Sequence, residues 1–171
     1  VVLVTGICGA YVLSVKNKVE AWNDKIYPGV QAYGIDLGGK TKEEAHREFF
    51  EETLKCVQTF DCFNCLGHLD YIMRYGPYED KRVEHELYQD IIDEILKTLI
   101  QKGKGIEVNT SGYRDLKTCG FPNFEQVQRY YDLGGRIITI GTDSHTSDRV
   151  GENCLNVAKK YQEIVFSSTY L

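Results

Sequence analysis

This 171-residue chain lacks an excess of positive charge and has little proline or methionine, and each absence removes a class of explanation. Lys and Arg number 20 against 25 Asp and Glu, a formal charge of -5, so the chain has no basic stripe of the kind that draws nucleic acid by counterion release. Nucleic acid is therefore excluded as a general partner, and a small ligand is expected. Only 3 Pro, with 16 Gly, 42% hydrophobic and 26% charged residues, exclude a disordered or collagen-like chain and fit one compact globular domain. Met73 is the single methionine, so the chain has no initiator residue and reads as a fragment, a processed product or a truncated frame. Six cysteines are spread too thinly for a disulfide framework, and reduced, buried thiols are expected. Cys62 and Cys65 have the spacing of half a zinc site or a redox motif, but no second such pair follows.

Residues 1–15 carry no charge and stop at Lys16 and Lys18. A full transmembrane helix needs about 20 apolar residues. The run reads either as the end of a membrane anchor or signal-peptide core, or as a buried strand with a Gly-containing turn. Its abrupt apolar start favours the anchor and membrane contact through residues 1–15. A short polar helix is expected from Lys16 to Asn23, then a strand pair over 26–30 and 33–37. Thr41-Lys42-Glu43-Glu44 has the form of a capping box and opens a helix through Ala45 and Phe49.

Beyond residue 48 helical and strand patterns alternate. Glu51 to Phe60 is amphipathic, and Asn64 to Ile72 is an apolar run containing His68. Leu87, Ile91, Ile92, Ile95, Leu96, Leu99 and Ile100 recur at helical spacing and stop at Gly103. Ile106 to Asn109 is strand-like, Phe124 to Leu133 helical, and Ile137 to Gly141 a buried strand by its β-branched content. A helix over Glu152 to Tyr161 and a last strand at Ile164-Val165-Phe166 are expected. Strands separated by helices imply parallel βαβ units, and an α/β barrel segment fits best.

In such a barrel the functional side chains stand at the C-terminal ends of the strands. These are His68 and Asp70 after the first strand, Asn109 to Arg114 after the second, and Asp143 and His145 after the third. Alternate residues of an extended segment point the same way, so Asp143 and His145 can offer a carboxylate and an imidazole to one metal or two adjacent metals. That donor mixture suits manganese, iron or zinc. A loop Asp capping the next helix and a surface His is the competing reading. Glu107 alternates with Asn109 and is either an inward-facing group or a carboxylate that orients an imidazole. Arg74 and Arg114 lie just beyond strand ends, where a planar guanidinium recognises phosphate in bidentate fashion.

Three stretches together carry a resemblance: Phe60 to Gly76 with Gly67-His68-Leu69-Asp70 at its centre, Gly105 to Arg114, and Gly135 to His145 with Pro122-Asn123 before it. They resemble, in order, the C-terminal half of PHP-type histidinol-phosphatases, over about residues 48–171. The resemblance implies a partial (β/α)7 barrel with a small N-terminal α+β segment. It implies hydrolysis of L-histidinol phosphate, a step of histidine biosynthesis in the cytoplasm, at a cluster of up to three divalent ions. By it His68, Asp143 and His145 correspond to metal ligands, Asp143 and His145 also to catalytic groups, and Arg74, Arg114 and Asn109 to substrate or phosphate contacts.

The family opens its barrel with a His-x-His motif, and no such motif occurs here: the remaining histidines are His46 and His85. Residues 19–48, after an apolar stretch at 1–18, resemble instead the start of membrane-anchored, VanW-like, peptidoglycan-binding proteins. The two resemblances meet near residues 46–52, as in a fused or misassembled frame. Strand edges left open by absent strands would favour an oligomer.

Overall fold

The computed structural model describes residues 40–74, 78–80, 82–115 and 119–167. The expected anchor, the polar helix at 16–23 and the strand pair at 26–37 lie outside them. Helix α1 spans Lys42–Thr59 and begins as expected: the Glu44 N–H donates to Thr41 Oγ1 at 3.2 Å and the Thr41 N–H to Glu44 Oε2 at 2.9 Å. The helix runs without a break through residues 46–52, the stretch where the two resemblances meet, and buries Ala45, His46, Phe49, Phe50 and Val57.

Strand β1 is short, Cys65–Leu66. The rest of the apolar run leaves the sheet and turns as a 3-10 helix at Tyr71–Arg74. A second 3-10 turn, His85–Tyr88, leads into helix α2, Gln89–Gln101. Ile91, Ile92, Ile95, Leu96 and Leu99 form its buried face. Leu87, expected on that face, is half exposed because the 3-10 turn rotates it away. Gly103, at φ +65°, ends the helix in a Schellman arrangement: the Lys104 N–H donates to Leu99 O at 2.8 Å and the Gly103 N–H to Ile100 O at 3.0 Å.

Strand β2, Gly105–Asn109, is buried at every position. The one-turn helix α3 (Ser111–Asp115), helix α4 (Phe124–Asp132, N-capped by Asn123), strand β3 (Ile138–Gly141) and helix α5 (Cys154–Ser167) complete the described elements. The three strands are parallel in the order β1-β2-β3, with Leu66 beside Ile106, Glu107 beside Thr139 and Asn109 beside Gly141. Helices carry the chain between successive strands, as parallel pairing requires. The α/β class with a parallel sheet is thus the observed one. Helix α1 packs on α2, α2 on β2, and α5 on β3 and α4.

Two further expectations fail. Strand β3 is only half-buried along its length, because β-branched content reports fit to a pleated surface, not depth. Ile164, Val165 and Phe166 are not a strand: α5 continues through them to Ser167, since no Gly or Pro after Cys154 interrupts its hydrogen bonding.

Candidate metal centre

Parallel pairing brings the C-terminal ends of β1, β2 and β3 to one side, and the register decides which side chains meet there. Glu107 and Asn109, two apart on β2, share a face and are both buried. Gly67 carries β1 into His68, whose φ of +51° aims the ring back over β2. His68 Nδ1 lies 3.3 Å from Glu107 Oε2, and Asn109 Nδ2 lies 2.7 Å from His68 Nε2. Tyr71 covers the imidazole with its ring centroid 4.6 Å away. Gly141 makes room across the sheet, since a Cβ there would stand 2.2 Å from Glu107 Oε1. Burial raises the Glu107 carboxyl to a pKa of about 7, the nearby Asp143 charge adds to the rise, and a hydrogen bond from Asn109 opposes it.

Asn109 is held on three sides. Its backbone exchanges hydrogen bonds with Phe121 at 2.8 and 2.9 Å, and its Oδ1 accepts the Ser111 N–H at 2.9 Å. The next residue continues the ladder, with the Thr110 N–H donating to Gly141 O at 2.7 Å.

Beyond β3, Asp143 has φ +48°, so the extended alternation expected for Asp143 and His145 does not hold. Their side chains still approach, His145 Nε2 lying 3.7 Å from Asp143 Oδ1. They differ in burial: the Asp143 side chain is 28% exposed and that of His145 88%. Arg114, on α3, is engaged by Glu152 Oε2 at 3.1 Å. Arg74 closes the first 3-10 turn, and its side chain lies outside the described part. Cys65 is buried at the start of β1 while Cys62 is exposed.

Asp70 does not reach the rim where sequence analysis set it. It is fully buried, with Oδ2 3.1 Å from His85 Nε2, while the other face of that imidazole approaches Asn123 Nδ2 at 3.5 Å. The signal was available: a carboxylate inside Leu69-Asp70-Tyr71-Ile72 needs a partner once buried. A cavity of about 730 Å³ beside His85 is lined also by Gln89, Asn123, Gln126 and Arg129, and by none of His68, Asp143 or His145.

Imidazole nitrogen and carboxylate oxygen are the right donors, in kind, for zinc, manganese or iron. His68 fits, with one ring nitrogen toward a buried carboxylate as ligating imidazoles usually have it. Among the described residues, however, no three His, Cys, Asp or Glu side chains converge as a ligand cluster. The same residues contain no helix long and apolar enough to cross a membrane.

Comparison with known proteins narrows the reading. The chain is 42% identical over 125 residues to the histidinol-phosphatase of Lactococcus lactis subsp. lactis, an alignment covering 73% of this chain and 45% of that protein. It is also similar to the crystal structure of the L. lactis histidinol phosphate phosphatase complexed with zinc, L-histidinol and phosphate, at TM-score 0.64 and 41% identity, over 75% of this chain and 47% of that one. The chain thus spans about half the length of the relatives it matches. The three parallel strands and their helices are consistent with part of a PHP-type barrel. The PHP domain matches residues 14–111, a span that includes much of the stretch resembling VanW-like proteins. With more than half of its length matched, the chain belongs to the PHP domain family.

Proposed function

We propose that this chain carries one side of the active site of a metal-dependent phosphomonoester hydrolase acting on L-histidinol phosphate in the cytoplasm. The observation that carries the reading is the meeting of His68, Glu107 and Asn109 at the ends of β1 and β2, with Asp143 and His145 following β3. The similarity to a phosphatase that binds zinc, L-histidinol and phosphate supports it.

In this reading His68, Asp143 and His145 hold zinc, manganese or iron. Such an ion, when bound, supplies activation of water and neutralisation of charge on the phosphoryl oxygens. Arg114 exchanges Glu152 for a phosphate oxygen, a swap of one anion for another that costs little. Arg74 and Asn109 contribute further contacts to the ester. Asp143, close to the His145 imidazole, would take the proton that the attacking water gives up and pass it to the departing alkoxide oxygen, so that the leaving group departs as the alcohol.

The test is phosphate release from L-histidinol phosphate by the 171-residue chain supplied in turn with zinc, manganese and iron. His68→Ala and Asp143→Asn are expected to lower the rate at least about a hundredfold, while far-UV circular dichroism is unchanged. A folded chain that releases no phosphate with any of the three metals would overturn the reading.

A further inference from the structure

The cavity of about 730 Å³ between α2 and α4 takes no part in the candidate metal centre, yet its wall holds an unanswered group. Gln126, on that wall, is only 4% exposed, and its Oε1 accepts no hydrogen bond. The neighbours fix which end of the amide this is. Asp93 Oδ1 accepts from Arg129 Nε at 2.9 Å and from Gln89 Nε2 at 2.8 Å, and the guanidinium holds the Asp93 carboxyl below the usual carboxylate range. A carboxylate only accepts, so Gln89 turns its amide nitrogen to Asp93 and its oxygen to Gln126. That oxygen takes the Gln126 Nε2 donor at 3.2 Å, which leaves Gln126 Oε1 on offer. A buried acceptor in this state calls for a donor.

The charges on the wall say which kind. Arg82 is committed to Asp80, Arg129 to Asp93, and Glu84 is offset by Lys42. His85 is engaged at both ring nitrogens, by Asp70 and by the Asn123 amide. Glu86 and Glu125, also on the wall, have no ion pair among the described residues, and Asp132 accepts the Gln128 amide. Among the described residues the carboxylates do not converge as a metal-ligand cluster, and the space exceeds that of a single ion. A cation with its charge spread over several N–H donors answers both the buried acceptor and the uncompensated carboxylates. We propose that the cavity between α2 and α4 is a second binding site, for a small aliphatic diamine or polyamine, with one ammonium donating to Gln126 Oε1 and another facing Glu86 and Glu125.

Calorimetric titration of the full chain with 1,4-diaminobutane tests this, in about 0.15 M salt to screen diffuse surface attraction. A saturable one-to-one isotherm is expected. Gln126→Leu should weaken binding about tenfold, the loss of one charge-assisted hydrogen bond. Glu86→Gln and Glu125→Gln together should weaken it about threefold, the scale of exposed charge pairs. Gln126→Met keeps the length of the side chain without its acceptor and serves if the Leu variant does not fold. The fully N-methylated diamine keeps both charges but has no N–H, and should bind at least about tenfold more weakly. A folded chain with no saturable binding of the diamine, undiminished affinity in a folded Gln126 variant, or equal binding of the methylated analogue would overturn the proposal. None of His68, Asp143 and His145 lines the cavity, so the outcome is separate from that of the phosphatase reading.

Discussion

On the β1–β2 side of the candidate centre, His68, Glu107 and Asn109 rest on the core packed by α1 and α2, and each is held by at least one neighbour of fixed position. On the β3 side, Asp143 and His145 follow a half-buried strand, in a part of the chain where Ile137, Val150 and Leu155 are also exposed. The same two donor types, imidazole and carboxylate, are thus defined in orientation on one side and open to solvent on the other. Packing, more than residue identity, turns a candidate ligand into an aimed one. Burial also acts on charge, for the pKa of Glu107 rises to about 7 on the packed side.

Truncation should expose the contrast most strongly. Phe50 is fully buried and Leu155 77% exposed, so Phe50→Ala is expected to cost about 3–5 kcal/mol and Leu155→Ala no more than about 0.5 kcal/mol. Chemical denaturation of both variants measures this, and equal losses would erase the distinction between the two sides.

A smaller effect comes from His46, which α1 buries between Tyr78 and Tyr88 with both ring nitrogens unpartnered. Burial, helped by the Lys42 charge and opposed by Glu43 and Glu84, lowers its pKa from 6.5 to about 4. The unfolded chain then takes up a proton that the folded chain refuses, so stability falls as pH drops from 6.5 toward 4, by at most about 3 kcal/mol. His46→Phe should flatten that part of the stability–pH curve. An unchanged slope would mean that the packed side does not exclude the charge.

The smallest expected effect probes the seam between the sides. Gly141→Ala puts a Cβ 2.2 Å from Glu107 Oε1 and should push the carboxylate off His68. Zinc affinity is expected to fall about tenfold with little change in the denaturation midpoint. Equal affinity would show that the packed side is indifferent to β3.

Where local chemistry dominates, the chain was legible before its structure. The capping box at Thr41, the stop at Gly103, the apolar face of α2 and the strand at Gly105–Asn109 all follow from short-range rules. The parallel α/β class followed from their alternation. What depends on distant neighbours was not legible. β-branched Ile137 to Ile140 gave no sign of how little cover β3 has, and an apolar triplet at 164–166 reads alike in a strand and a helix. In the candidate centre, the nearness of His68 to Asn109 was anticipated only as a shared rim. The weight carried by Glu107 was underestimated, because a strand register decides that Gly141 lies beside Asn109 and so clears space for the Glu107 carboxylate. The Asp70–His85 pair was missed because its two members lie on a turn and a helix start with fifteen positions between them in sequence.

His68 and Asp143 share the left-handed backbone conformation, which glycine adopts freely and which costs other residues about 1–2 kcal/mol. A library screened for thermal endurance alone should therefore enrich glycine at both positions, and each enrichment would delete a donor. Screened for phosphate release, the same library should keep both side chains and gather its stabilising changes elsewhere, so that the two winning populations diverge first at residues 68 and 143.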